Sequence, residues 1–148
     1  MKRPWWLLLL PLSFLLHIAE ELWAGEGFVA WTGRLFASPL TDARFSAINA
    51  VGWPLFACLT LSAILRPRLA WIAAMLSTML LLNAFLHAAG TLATAAYSPG
   101  LLTSLVLYPP ICIAALRYGH GAVASRTFAL AVCAGLVLHG LVLIVAFG

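Results

Sequence analysis

An imidazole and two carboxylates fall within five residues of an otherwise apolar run: His17, Glu20 and Glu21 in the stretch LLHIAEEL. His17 precedes Glu20 by three residues and Glu21 by four, so a single helical turn carries all three groups. Further along, Asn83 and His87 stand four apart and share a helix face, and His139 lies one turn beyond Gly135 in a third apolar run. Histidine nitrogens with a glutamate oxygen are the ligand set of catalytic zinc sites. The expected ligands of a divalent ion (zinc, iron or manganese) are therefore His17, Glu21, His87 and His139. Glu20 is expected beside them or as general base, and the two glutamates could exchange roles. Two carboxylates and three imidazoles are also enough for a two-metal site. Without metal, a glutamate next to histidine is a general acid/base pair, which makes Glu20, Glu21 and His17 the catalytic candidates. Asn83, Asn49 and Tyr108 are the polar groups expected to orient the site or bind substrate.

These residues must be positioned inside a membrane. Of 148 residues, 64% are hydrophobic and 8% are charged, against about 25% charged in soluble domains. A soluble fold of this length could not hide so much apolar surface, so lipid has to be the solvent for most of it. The expected fold is all-α: a single polytopic membrane helix bundle over residues 1–148. About five spans are expected, near residues 5–24, 44–65, 69–90, 101–117 and 122–147. Pro109-Pro110 should break or kink the fourth. Between the first two spans, Phe28, Trp31 and Leu35 recur near helical spacing, which predicts a short helix lying in the interface. The first run follows Lys2-Arg3 but lacks a small-x-small cleavage pattern, so it reads as a retained first helix.

The basic residues sit at the ends of the apolar runs. With a cytoplasmic N-terminus, the inner segments hold Lys2, Arg3, Arg66, Arg68, Arg117 and Arg126, and the outer ones hold Arg34 and Arg44. This asymmetry favours that orientation, with the C-terminus outside, in a cell membrane. The high Arg-to-Lys ratio and abundant Ala fit a GC-rich bacterial source. No basic face is interleaved with aromatics, so nucleic acid is not an expected partner. Cys58, Cys112 and Cys133 lie in separate apolar runs and are expected to be small buried hydrophobes.

Depth along the helices, at about 1.5 Å per residue, brings the polar groups together. His17, Glu20 and Glu21 on the first span, Asn83 and His87 on the third and His139 on the fifth fall near one level. Asn49 on the second and Tyr108 on the fourth fall near the same level, towards the outer leaflet. An ionisable group at such depth marks a functional site by default. The plainer readings are snorkelling to the surface, pairing with Arg34 or Arg44, and hydrogen bonds that hold helices together. His120, between two glycines, is expected in a cytoplasmic loop without a role.

His17-Ile18-Ala19-Glu20-Glu21 reads as H-x-x-E-E, and Asn83-Ala84-Phe85-Leu86-His87 as a downstream N-x-x-x-H. On these residues the chain resembles the HXXEE family of small integral membrane proteins, which is defined by this pentapeptide with a downstream Asn and His. The resemblance implies an enzyme of unestablished activity and supports the site without naming a substrate. Glutamic membrane proteases of the CAAX type use similar groups, but their motifs would require Arg where Gly25 stands and Phe where Asn83 stands. The expected activity is metal-assisted or acid/base chemistry, such as hydrolysis, on a lipid or small amphiphile reached from the bilayer. Homo-oligomers are compatible with this. Rival expectations are a small transporter or proton relay, and an assembly subunit whose buried polar groups are structural.

Overall fold

The structure, a computed structural model, describes residues 3–148. Lys2, counted above among the inner charges, lies outside the described residues. A single turn of 3-10 helix, Trp5–Leu8, leads into α1 (Leu9–Trp23), followed by α2 (Phe28–Phe36), α3 (Asp42–Leu65) and α4 (Trp71–Thr94). Two short helices, α5 (Leu101–Val106) and α6 (Tyr108–Ala122), precede α7 (Ser125–Phe147). Among the described residues there is no strand, as the all-α expectation required.

Four helical stretches are long and apolar enough to cross a membrane: Trp5–Trp23, Asp42–Leu65, Pro67–Thr94 and Ser125–Phe147. The expected fourth span is instead the broken pair α5–α6, with the break at Leu107. Pro109 and Pro110 fall in the first turn of α6. There a missing N–H removes no intrahelical bond, so the proline pair starts a helix rather than kinking one. The expected interfacial helix is α2. α6 runs on through His120, which corrects its expected loop position. The cysteines need a partial correction as well: Cys112 is buried, while Cys58 and Cys133 are exposed on helix faces.

α4 is the central element. Half of its most apolar window is buried, against 17% for α7 and 22% for α3. An apolar helix exposed along most of its length is at home only in lipid. The main core gathers Leu7 and Leu10, Phe56 and Ile64 from α3, Leu76 and Leu80 from α4, and Tyr108 and Cys112 from α6. Small residues set how closely helices approach. A Cβ on Gly135 of α7 would strike the Met75 carbonyl of α4, and would lie 2.8 Å from Thr78 Cβ. This close seating places His139, one turn on, beside α4. Gly90 in the same way makes room for the Trp31 ring of α2, which a Cβ would approach to 2.8 Å. Arg44 Nη1 donates to the Gly148 oxygen (3.1 Å), joining the start of α3 to the end of α7.

Candidate metal centre

α1 carries His17 and Glu21 on one face, and α4 delivers His87 opposite them. Glu21 Oε1 lies 3.5 Å from His17 Nε2 and 3.4 Å from His87 Nε2. The two imidazole rings meet edge to face, their centroids 4.8 Å apart. All three residues are buried, and one ligand atom from each falls within 4.8 Å of the others. Bonds of about 2.0–2.1 Å to a tetrahedral ion place its ligand atoms about 3.3 Å from one another. The observed oxygen–nitrogen separations fit that spacing, and they are long for direct hydrogen bonds.

The far nitrogens of both rings are also held. Thr103 Oγ1 donates to the Gly100 carbonyl (3.3 Å), leaving a lone pair for His17 Nδ1–H at 3.0 Å. Nε2 of His17 is then the bare nitrogen, and it accepts from Asn83 Nδ2 at 2.9 Å. Ser98 Oγ lies 2.9 Å from His87 Nδ1, and it accepts from that nitrogen in the tautomer that leaves Nε2 bare. Metal-ligating histidines are typically fixed in this way, through the ring nitrogen that does not bind the ion.

Gly100 closes the cluster from the side of α5. Its φ is +98°, and a Cβ there would lie 2.6 Å from His17 Cε1, 2.8 Å from His87 Cε1 and 3.0 Å from Glu21 Cγ. Only glycine satisfies both the backbone conformation and the space.

Glu20 turns away from its neighbour. It accepts from the backbone N–H of Leu102 (2.9 Å) and of Thr103 (2.7 Å), and from the Tyr97 hydroxyl. It thereby caps the start of α5 from another helix, which stabilises orphan amides and favours the helix dipole. Tyr97 lies in the turn before α5, where partial burial and the Glu20 carboxylate push its phenol up to about 12. Adjacent carboxylates repel, and these two face different partners. Neither pairs with the loop arginines, since Arg34 binds Glu26 and Arg44 binds Gly148.

Asn49, Asn83 and His139 line a cavity, and Tyr108 does not. The cavity has a volume of about 210 Å³ and lies among α1, α3, α4 and α7. Its lining is apolar except for Glu21, Asn49, Asn83 and His139. His139 is buried, and its Nε2 has no hydrogen-bond partner among the described residues. It lines this cavity and is not part of the three-residue cluster. Asn49 donates Nδ2 to its own helix at Phe45 O (3.1 Å). Tyr108 is fully buried, with its ring centroid 5.1 Å from that of His17.

Sequence reasoning thus named His17, Glu21, His87 and Asn83, which the structure brings together. It missed Ser98, Gly100 and Thr103. The Tyr97-Ser98-Pro99-Gly100 run was legible only as a turn, although glycine after proline does signal a positive φ. Thr103 gave no signal at all.

The family model described as "Protein of unknown function with HXXEE motif" matches residues 8–115. The match holds the pentapeptide, Asn83, His87, Gly100 and Thr103, and ends before His139. Searches of curated proteins and of solved structures gave no match. The match extends over well over half of the 148 residues, and the chain belongs to the HXXEE-motif family of unknown function.

Proposed function

We propose that the protein is an integral membrane enzyme whose centre holds one divalent metal ion through His17, Glu21 and His87. The observation that carries this is the spacing of Glu21 Oε1 from two imidazole nitrogens, 3.5 and 3.4 Å, with the opposite ring nitrogens anchored by Thr103 and Ser98; an ion at His17 Nε2 would take the lone pair that the Asn83 amide meets at 2.9 Å. His17, Glu21 and His87 would hold the ion with three protein ligands, the number that catalytic zinc sites use. A bound zinc, iron or manganese ion supplies Lewis acidity there. Thr103 and Ser98 hold the imidazole orientations. Asn83 places an amide beside His17 and at the cavity wall, where it can orient a substrate. Glu20 positions α5, and through it Gly100 and Thr103, against the cluster.

The cavity beginning at Glu21 supports a lipid or small amphiphile as substrate, reached from the outer half of the bilayer, with the N-terminus cytoplasmic. Its only ionisable lining groups, Glu21 and His139, are suited to metal-assisted or acid/base chemistry such as hydrolysis. Cobalt substitution tests the ligand set. The purified protein loaded with cobalt(II) should show the visible absorption of a four-coordinate site, lost in Glu21→Gln. A spectrum of octahedral aqueous cobalt in both would refute the assignment.

A further inference from the structure

The charged residues are segregated along the bundle. All four acidic residues, Glu20, Glu21, Glu26 and Asp42, lie towards the end where α1 finishes and α3 begins. The two arginines at that end are engaged: Arg34 pairs with Glu26, and Arg44 donates to the Gly148 oxygen. Arg3, Arg66, Arg68, Arg117 and Arg126 lie at the opposite end, where α3 and α6 finish and α4 and α7 begin. Each of them is exposed, and none has an ion pair or a side-chain hydrogen bond among the described residues.

Packing gathers these arginines around the end of α6. Trp6, three residues after Arg3, meets Tyr118, the neighbour of Arg117, with ring centroids 6.1 Å apart. Gly119 seats the same turn against the start of α4: a Cβ there would lie 3.2 Å from Ala74 Cβ and 3.5 Å from the Ala70 oxygen. Ala70 follows Arg68 by two residues, in a connection so short that the Leu69 amide donates to the Arg66 oxygen (2.8 Å). On the other side, the His120 ring packs 5.0 Å from that of Phe128, two residues after Arg126. Four chain segments thus bring their unpaired cations to one face.

A membrane-spanning bundle sets this end at a headgroup surface. Trp5 and Trp6 are exposed beside it, and such amphipathic rings settle at headgroup level. The guanidinium fork matches a phosphate through two parallel N–H···O bonds, which an ammonium cannot do. A zwitterionic lipid carries its own cation next to the phosphate, so the attraction favours lipids with net negative charge. We propose that this end is a binding surface for acidic phospholipids, whose phosphodiester headgroups bridge the α3–α4 and α6–α7 connections. It is separate from the histidine–glutamate cluster and does not rest on the metal-centre reading.

The test is native mass spectrometry of the full chain in detergent, titrated with phosphatidylglycerol and with phosphatidylcholine of the same acyl chains. The wild type should retain phosphatidylglycerol on the order of tenfold more strongly. Arg66→Gln with Arg68→Gln, and Arg117→Gln with Arg126→Gln, should each weaken retention on the order of tenfold, and all four together should bring it to the phosphatidylcholine level. These side chains hold nothing in the fold, so helix content by circular dichroism should be kept. Arg34→Gln with Arg44→Gln removes the same net charge at the other end and should leave retention unchanged. Equal retention of the two lipids would overturn the proposal, as would retention that survives the fourfold variant. An equal loss in the Arg34/Arg44 variant would assign the effect to net charge alone. Displacement of the lipid by millimolar glycerol phosphate would make the surface a site for a soluble phosphate, and would also overturn it.

Discussion

Gly100 and His17, 83 positions apart in the chain, approach so closely that a β-carbon on Gly100 would lie 2.6 Å from His17 Cε1. The turn before α5 is in this way a wall of the cluster, fitted against both imidazoles and the Glu21 stem. Gly100→Ala has to push that wall back, and it also places an L-residue at φ +98°. The strained backbone should destabilise the protein by about 1–3 kcal/mol. Retained α5 packing should also displace His17 and His87 and weaken metal binding. Thermal unfolding beside metal titration checks both, and a variant with unchanged metal affinity would show that the wall does not shape the site.

Glu20 and Glu21 should separate cleanly on substitution. Glu20→Gln weakens a cap on the Leu102 and Thr103 amides, for which a loss of about 1–2 kcal/mol of stability is expected while the metal stays bound. Glu21→Gln removes a ligand carboxylate. It should abolish metal binding while the helix content measured by circular dichroism is kept. If Glu20→Gln lost the metal and Glu21→Gln kept it, the assigned roles would have to be exchanged.

Thr103→Val and Ser98→Ala each remove a hydroxyl from the far side of an imidazole. Such outer partners typically account for about 10–100-fold in metal affinity. Competition against a chelator of known strength should find both variants weaker by that order, with the metal still tetrahedral. Wild-type affinity in both would mean that the rings are held by packing alone.

The Tyr97–Glu20 contact carries a pH signature. Burial and the bond to Glu20 push the Tyr97 phenol from its ordinary 10.0 up to about 12. A folded-state value above the unfolded one means a contribution fully present below about pH 10 and lost as pH rises towards 12. The wild type's unfolding midpoint should therefore fall more steeply over that interval than that of Tyr97→Phe. Parallel curves would place the titration elsewhere.

How much of this was legible beforehand follows from what each signal depends on. The apolar runs and their polar interruptions are local, so the helices, α2 and the depth shared by His17, Glu21, Asn83 and His87 could be read from composition and spacing. The rotation of Glu20 away from Glu21 could not. It depends on where the amides of Leu102 and Thr103 arrive, a contact across more than eighty residues. His139 matched the others in depth, but depth does not fix which wall of the bundle a helix presents, and α7 turns it to the cavity. The proline pair was correctly read as a break, but whether it lies inside a helix or at its first turn is set by the preceding Leu107.

The most direct test of the metal centre is elemental analysis of gently purified protein, wild type beside His17→Ala, His87→Ala and His139→Ala. About one equivalent of zinc, iron or manganese is expected in the wild type and in His139→Ala, and none in the other two variants at unchanged helix content. A metal-free wild type, or a folded His87→Ala that keeps its ion, would contradict the assignment and leave a glutamate–histidine acid/base pair or a purely structural polar core.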